Sequence, residues 1–185
     1  MSQIQKLPAF KAYDIRGRMP EQLNEFMVYC IGKAYARVMK PQAPIAVGQD
    51  IRLSSKALSQ ALIAGLNSEG VTTVDIGLCG TEMIYFAAGQ DHMGGGIMVT
   101  ASHNPADYNG LKMVKEGSRP ISSDTGLGAI EQETIVLMNS ISMQSAYIPT
   151  TSLHNEQSVL AGYIAKLLAM IDVAKVKPLH VLVNG

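Results

Sequence analysis

The chain has the sequence Gly-Gly-Gly-Ile-Met-Val-Thr-Ala-Ser-His-Asn-Pro over residues 94–105, and this stretch decides the fold that we predict. The apolar run over residues 97–99 is typical of a short buried strand. The Asn-Pro pair at 104–105 predicts a turn, because a proline pushes the preceding residue out of the helical region. We therefore expect Ser102 on a tight loop just after the carboxyl end of a strand, where open α/β sheets bind ligands.

Strand and helix patterns alternate on both sides of this loop. Before it, we predict a strand over 8–17, a helix over 20–39, a strand over 45–47, a helix over 54–70, a strand over 71–77 and a helix over 81–89. After it, we predict a strand over 111–115, a weak helix over 125–138 capped by Asp124, a helix over 155–171 and a buried strand over 179–183. This order predicts an α/β fold with three layers (α/β/α) around a mixed, mainly parallel sheet.

The chain is also expected to contain more than one structural unit. Residues 1–139 form the predicted first domain, and the polar, aperiodic residues 140–154 form a linker. Residues 155–185 hold too few elements to bury their own apolar faces, so we interpret them as the truncated start of a second, similar domain. An exposed strand edge over 181–183 would offer a pairing surface to another copy of the chain.

Composition excludes several functional classes. Hydrophobic residues make up 47% of the chain, charged residues 16%, and the formal net charge is +0, with no basic stripe of the kind that nucleic-acid binders use. No apolar run approaches the length of a membrane span, and the amino terminus lacks an apolar signal, so we expect a cytoplasmic protein without a membrane partner. Cys30 and Cys79 lack metal-ligand spacing, and Cys30 is predicted to be a buried free thiol.

The residue types around Ser102 leave its role open. Serine, histidine and asparagine are common in turns, where their side chains cap main-chain groups, so a structural loop in a non-catalytic α/β module fits as well as chemistry does. A serine hydrolase is disfavoured because Ser102 is not flanked by the glycines of a nucleophile elbow, and adjacent His103 does not define a triad. The glycines at 94–96 precede a strand, which excludes a dinucleotide-binding loop.

Three stretches at predicted strand ends should meet at one edge of the sheet. They are Phe-Lys-Ala-Tyr-Asp-Ile-Arg-Gly over 10–17, Gly-Gln-Asp-Ile-Arg-Leu-Ser over 48–54, and Thr-Ala-Ser-His-Asn-Pro over 100–105 with Tyr-Asn-Gly-Leu-Lys over 108–112 behind it. This convergence indicates a binding site by itself. In this order and spacing the stretches resemble the N-terminal domain of the α-D-phosphohexomutases, the family of phosphomannomutases and phosphoglucomutases. By the same resemblance, residues 155–185 would be the start of domain two.

The resemblance implies an enzyme that interconverts hexose 1-phosphate and hexose 6-phosphate through a phosphoserine and a sugar bisphosphate. Residues 80–86 and 119–122 are similar to bacterial phosphomannomutases of GDP-mannose synthesis, which favours mannose. Phosphoglucomutase or dual specificity stays open. The family's Asp-Gly-Asp-Gly-Asp-Arg metal loop and its sugar-specificity loop do not occur in this sequence, so we expect the 185-residue chain to be inactive alone.

Four residues receive catalytic roles from the resemblance. Ser102 would carry the phosphate, and Lys112 would act as general acid and base. Arg16 would bind phosphate through its paired donors, although by itself it also fits a surface charge. His103 would donate a hydrogen bond to sugar or phosphate oxygens, or else only order the turn.

The remaining roles concern substrate and loop. Tyr13 is predicted to bind substrate together with Ser102 and Lys112, whereas Arg52 and Asn104 are predicted to support the loop. The resemblance implies a Mg²⁺ ion, with the Ser102 phosphate as one of its oxygen ligands. It also implies a sugar 1,6-bisphosphate activator and a hexose phosphate substrate.

Overall fold

The computed structural model describes residues 6–141 and 154–184. Its strands are β1 (Ile15–Arg18), β2 (Ile45–Gln49), β3 (Thr73–Leu78), β4 (Gly95–Val99), β5 (Tyr108–Lys115), β6 (Arg119–Pro120) and β7 (His154–Glu156). Its α-helices are α1 (Glu25–Met39), α2 (Ser55–Ser68), α3 (Thr81–Ala88), α4 (Leu127–Ser140) and α5 (Leu160–Ala169). None of the helices within these ranges has the length and apolarity that crossing a bilayer requires.

The described strands form one mixed sheet in the order β1-β5-β4-β2-β3-β7, with β6 paired to β5. Strands β4, β2, β3 and β7 are parallel, and β5 runs antiparallel to β4, β1 and β6. Helices α1, α2 and α4 share one core with one face of the sheet, and α3 shares a smaller core with the other face. The predicted three-layer α/β/α fold with a mixed sheet is confirmed.

Strand β5 shows how alternation divides the two cores. Leu111 and Met113 join the core of α1, α2 and α4, whereas Val114 joins the core of α3. Successive side chains of a strand point to opposite faces, so one strand supplies apolar contacts to both helical layers. Lys112, which lies between Leu111 and Met113, pairs with Met98 near the end of β4. Lys112 therefore lies at the edge of the sheet where β4 ends.

Helices α1 and α2 approach each other closely through two glycines. A Cβ on Gly32 would lie 2.5 Å from the carbonyl oxygen of Leu62, and a Cβ on Gly65 would collide with the carbonyl oxygen of Tyr29. Both contacts involve helix backbone, which cannot move without displacing the whole helix. The glycines therefore set the distance between these two helices.

The predicted helix over 20–39 is wrong at its start. The helix begins at Glu25, and the side chain of Asn24 accepts a hydrogen bond of 2.9 Å from the amide of Met27. Asparagine is a favoured N-cap because it satisfies an amide that the first turn leaves free. Pro20 and Glu21 consequently lie in the turn that precedes the helix.

The predicted strand over 8–17 is also wrong at its start. The chain bends over 12–14, where the amide of Lys11 donates to the carbonyl of Asp14 at 2.9 Å, and only an isolated bridge joins Phe10 to Ile15. Local hydrogen bonds thus replace a strand ladder until β1 begins. Asp124 does not cap a helix either, because Ser122 and Thr125 cap the short 3₁₀ turn that precedes α4.

The C-terminal predictions are confirmed only in part. The predicted helix over 155–171 is shorter, because β7 adds parallel to β3 before α5 begins. Helix α5 contacts α3 through Phe86 and Tyr163, whose rings meet edge-on with centroids 5.8 Å apart. The buried strand predicted over 179–183 is wrong: these residues are exposed and pair with no described strand. Residues 142–153 of the predicted linker lie outside the described residues.

Candidate functional site

The loop after β4 holds Ser102 in a left-handed backbone conformation with φ 55°. Its amide donates a hydrogen bond of 2.9 Å to the Oγ1 of Thr100, and its exposed hydroxyl lies 3.4 Å from Nδ1 of His103. A residue with a Cβ pays about 1 kcal/mol or more for this conformation, so other contacts must hold the loop. The result is a serine hydroxyl presented to solvent on a constrained backbone.

Arg52 makes four of the hydrogen bonds that hold this loop. Its Nη1 and Nη2 together donate four hydrogen bonds to loop carbonyls, which belong to Pro105 (2.6 Å), Tyr108 (3.0 Å), Ser102 (2.9 Å) and Asn104 (2.6 Å). The side chain is only 13% exposed, and its Nε lies 3.3 Å from Oδ2 of Asp50. Since the two terminal nitrogens carry four N–H groups, the loop engages all of them.

Asp50 connects this arginine to the amide side of the loop. Its Oδ2 accepts a hydrogen bond of 2.7 Å from Thr100, and its Oδ1 accepts one of 2.5 Å from the hydroxyl of Ser55. The buried side chain of Asn109 donates to Ser55 in turn, at 2.9 Å. Our sequence reasoning assigned no role to Asp50, Thr100 or Asn109, although the first two directly follow buried strands, where site residues concentrate.

A second polar group lies beside the loop. Arg16 donates one hydrogen bond of 2.6 Å to Oδ1 of Asn104 and one of 2.7 Å to Oδ2 of Asp14. The same Asp14 oxygen lies 4.0 Å from Nζ of Lys112, whose side chain is 31% exposed. Asp14, another residue without a sequence-based role, therefore connects Arg16 to Lys112. Tyr13 lies next to it and is 80% exposed.

An open cavity of about 580 Å³ adjoins the loop, and its lining residues include Ser102, Asn104, Asp50 and Thr81. Cys79 also lines it, and burial raises the pKa of this thiol to about 11, which keeps it protonated at neutral pH. Among residues 6–141 and 154–184 no three His, Cys, Asp or Glu side chains are grouped as metal ligands would be.

Comparisons with known proteins agree on one family. The family model described as phosphoglucomutase/phosphomannomutase, alpha/beta/alpha domain I, matches residues 7–136. A Xanthomonas campestris protein named phosphohexose mutases is 49% identical over 97% of this chain and 38% of its own length. A Salmonella montevideo phosphomannomutase is 46% identical over 98% of this chain and 39% of its own length. The chain thus spans less than two fifths of these relatives.

A solved structure gives the same result for the fold. A phosphoglucomutase/phosphomannomutase family protein from Burkholderia thailandensis superposes with a TM-score of 0.77 at 29% identity. The superposition covers 93% of this chain and 38% of the Burkholderia chain. The shared architecture therefore extends over nearly all of this chain.

Proposed function

Because the chain belongs to the phosphoglucomutase/phosphomannomutase family, we propose that it carries the phosphate-accepting serine of an enzyme that moves phosphate between the 1- and 6-positions of a hexose. The observation that carries the proposal is the exposed hydroxyl of Ser102 on a loop whose carbonyls Arg52 holds with four hydrogen bonds. A nucleophile that passes a phosphoryl group to a bound sugar needs this combination of access and fixed backbone.

The proposed reaction has two phosphoryl-transfer steps. Phosphorylated Ser102 gives its phosphoryl group to the 6-hydroxyl of a hexose 1-phosphate: the Oγ–P bond breaks, a bond from O6 to phosphorus forms, the hydroxyl proton leaves to a base, and Oγ receives a proton. The resulting hexose 1,6-bisphosphate then changes its orientation in the site. Its 1-phosphoryl group then returns to Ser102: the bond from O1 to phosphorus breaks, a bond from Oγ to phosphorus forms, the Oγ proton leaves to a base, and O1 receives a proton. This step releases hexose 6-phosphate and restores the phosphoserine.

Lys112 and Arg16 provide the charge that this transfer needs. The guanidinium of Arg16 uses two of its five N–H groups on Asp14 and Asn104, and within the described residues this group makes no other hydrogen bond. Three of its donors are therefore proposed to bind phosphate oxygens. Lys112 is partly exposed beside Asp14 and is the proposed general acid and base. Both residues would stabilise the charge on the transferring group.

The other sequence-predicted residues receive supporting parts. Arg52 and Asn104 hold the loop and Arg16 through the contacts described above. His103, with Nδ1 at 3.4 Å from the serine hydroxyl, would donate a hydrogen bond to the phosphate or the sugar. Tyr13 is exposed beside Asp14 and would contact the sugar.

The finer assignments are proposals as well. Mannose is the proposed hexose, because several relatives, including the one from Salmonella montevideo, carry the name phosphomannomutase; phosphoglucomutase or dual specificity is the alternative. We propose a role in GDP-mannose synthesis in the cytoplasm and a sugar 1,6-bisphosphate activator. The Ser102 phosphate would offer one oxygen to Mg²⁺, and no reaction step is assigned to that ion.

We also propose that residues 1–139 form the phosphoserine domain, followed by a linker over 140–154 and the beginning of a second domain over 155–185. The family model matches up to residue 136, which supports the first boundary. Without the metal and sugar-specificity loops, the 185-residue chain would not turn over substrate by itself.

The test is phosphate mapping and turnover in the full-length protein. After incubation with glucose 1,6-bisphosphate, we expect phosphate on Ser102 and conversion of mannose 1-phosphate to mannose 6-phosphate. Ser102→Ala should abolish both, whereas Ser123→Ala, at an exposed serine in the turn before α4, should leave both intact. An unmodified Ser102 without turnover would contradict the proposal. Labelling of Ser102 by a fluorophosphonate probe would instead support a hydrolase, and unchanged transfer in Lys112→Ala would support a structural loop.

A further inference from the structure

We propose that Thr100 and Asp50 are positioning residues that hold the backbone of Ser102 in its left-handed conformation and thereby aim the nucleophile. The inference rests on the proposed phosphoryl transfer for its catalytic meaning. The contacts that carry it involve neither substrate nor metal. They run from the amide of Ser102 through two side chains to the buried start of α2.

The first contact fixes the amide of Ser102. This amide donates to Oγ1 of Thr100 at 2.9 Å, and the hydroxyl of Thr100 donates to Oδ2 of Asp50 at 2.7 Å. A hydroxyl has one proton and two lone pairs, so donation to Asp50 leaves its lone pairs free to accept from Ser102. Asp50 therefore orients Thr100, and Thr100 orients the serine backbone.

The second set of contacts fixes Asp50. Its Oδ1 accepts from the hydroxyl of Ser55 at 2.5 Å and from the amide of Arg52 at 3.0 Å. Asn109 donates to Ser55 at 2.9 Å, and both Asn109 and Ser55 are fully buried. Donors therefore reach both oxygens of the Asp50 side chain, and Asn109 orients the Ser55 hydroxyl that supplies one of them.

Asp50 also joins the two ways in which the loop is held. Arg52 grips the carbonyl side of the loop, and its Nε lies 3.3 Å from the same Asp50 oxygen that accepts from Thr100. One carboxylate thus sets the position of both the arginine and the threonine. When this carboxylate is removed, the backbone of Ser102 loses its support on the amide side and part of its support on the carbonyl side.

This geometry has a consequence for the reaction. A serine backbone released from φ 55° relaxes towards the more favourable regions with negative φ, which turns the Cα–Cβ bond and moves the hydroxyl. Misplacement of a reacting group by about 1 Å can cost on the order of a hundredfold in rate. The residues proposed to bind substrate are others, namely Arg16, Lys112 and Tyr13, so we expect the loss in kcat and little change in KM.

The experiment compares Thr100→Val, Thr100→Ser and a matched control, Thr134→Val, in the full-length protein. Both threonines are buried, and the hydroxyl of Thr134 donates to the carbonyl of Ile130 within α4. Two readouts are measured: hydrogen exchange at the amide of Ser102, and kcat and KM for mannose 1-phosphate. The first readout requires no enzymatic activity, so it separates failure of this inference from failure of the proposed function.

With Thr100→Val, we expect the Ser102 amide to exchange about tenfold faster, because a hydrogen bond contributes about one decade to an equilibrium constant. We expect kcat to fall by about tenfold or more while KM stays within about twofold. Thr100→Ser should restore both, and Thr134→Val should lower the melting temperature only. Asp50→Asn should accelerate the exchange at least as much as Thr100→Val, because an amide accepts at only one of its two positions.

Two results would overturn the inference. One is exchange at Ser102 that stays at the wild-type rate in Thr100→Val, and the other is equal impairment in Thr100→Val and Thr100→Ser. Absence of both mutase turnover and phosphate on Ser102 in the wild-type protein would refute the proposed function. The exchange rates would still decide whether Thr100 and Asp50 fix the loop.

Discussion

Replacement of Arg52 by lysine tests how the loop is held, because it keeps the positive charge and removes the geometry. The guanidinium reaches four carbonyls with two terminal nitrogens, whereas an ammonium has three donors on one nitrogen. We expect at least two of the four hydrogen bonds to be lost. A hydrogen bond to a charged group contributes about 1.5–3 kcal/mol, and water can replace part of this at the exposed carbonyls, so the expected cost is about 2–4 kcal/mol.

The assay is urea unfolding of the full-length protein together with the rate of Ser102 phosphorylation by glucose 1,6-bisphosphate. The matched control is Arg37→Lys, because Arg37 is 44% exposed and pairs with Glu69 and Glu133 at the surface, where such pairs contribute about 0–1 kcal/mol. We expect only Arg52→Lys to lower stability strongly and to slow phosphorylation about a hundredfold. Equal effects of the two variants would refute the reasoning. If Arg52→Lys instead raised the KM for glucose 1,6-bisphosphate and left stability unchanged, Arg52 would bind phosphate directly.

Three further predictions concern charge, ionisation and packing. Asp14→Asn removes a carboxylate next to Arg16 and Lys112, so inhibition by inorganic phosphate should strengthen about three- to tenfold; an unchanged inhibition constant would contradict this. Burial raises the pKa of the Cys30 thiol to about 12, above its unfolded value near 9, so its contribution to stability is complete below pH 9 and decreases as the pH rises towards 12. Urea unfolding between pH 8 and pH 10.5 should therefore show a steeper loss of stability for the wild type than for Cys30→Ala, by up to about 1.4 kcal/mol per pH unit, and parallel curves would disprove it. Gly65→Ala should destabilise the fold by about 3 kcal/mol in thermal or urea unfolding, because its Cβ would collide with the carbonyl of Tyr29. Gly128→Ala in α4, with its nearest contact at 3.2 Å, should change stability by less than about 1 kcal/mol, and equal losses would exclude backbone collision as the cause.

The sequence predicts the bounds of a helix or strand well where the periodic residue pattern and the element end at the same place. Helix α2 begins at Ser55 and β4 ends at Val99, close to where the residue pattern changes. Helix α1 differs, because the apolar pattern includes Leu23, which is fully buried although it lies before the helix. Burial by a tertiary contact and helical structure give the same periodic signal, and the capping bond of Asn24 decides the boundary.

Strands depend on partners that the local sequence does not specify. Residues 179–183 have the apolar, β-branched composition of a buried strand, yet they pair with no described strand and stay exposed. The short and polar β7 has no such composition and is a strand because it lies beside β3. A strand is stabilised by its ladder and its cross-strand contacts, so composition alone overpredicts the first segment and misses the second.

The same distinction applies to the candidate site. The Asn-Pro turn and the end of a buried strand correctly predict an exposed Ser102 loop at the edge of the sheet. The contacts that hold this loop join residues about fifty positions apart, as Arg52 does with Asn104 and Asp50 with Thr100. No local pattern encodes which carboxylate meets which hydroxyl, because that depends on the order of β2 and β4 in the sheet.

The balance of charge around Ser102 limits what these residues can do alone. In the described part of the chain, the cations near the loop are Arg16, Arg18, Arg52 and Lys112, and the carboxylates Asp14, Asp50 and Asp107 offset three of them. A phosphoserine carries about −1.5 to −2 charges, and a hexose phosphate brings a second phosphate of similar charge. One excess positive charge does not balance two phosphates. The proposed reaction therefore requires further positive charge, from a metal ion or from residues outside the described ranges, at the moment when both phosphates occupy the site.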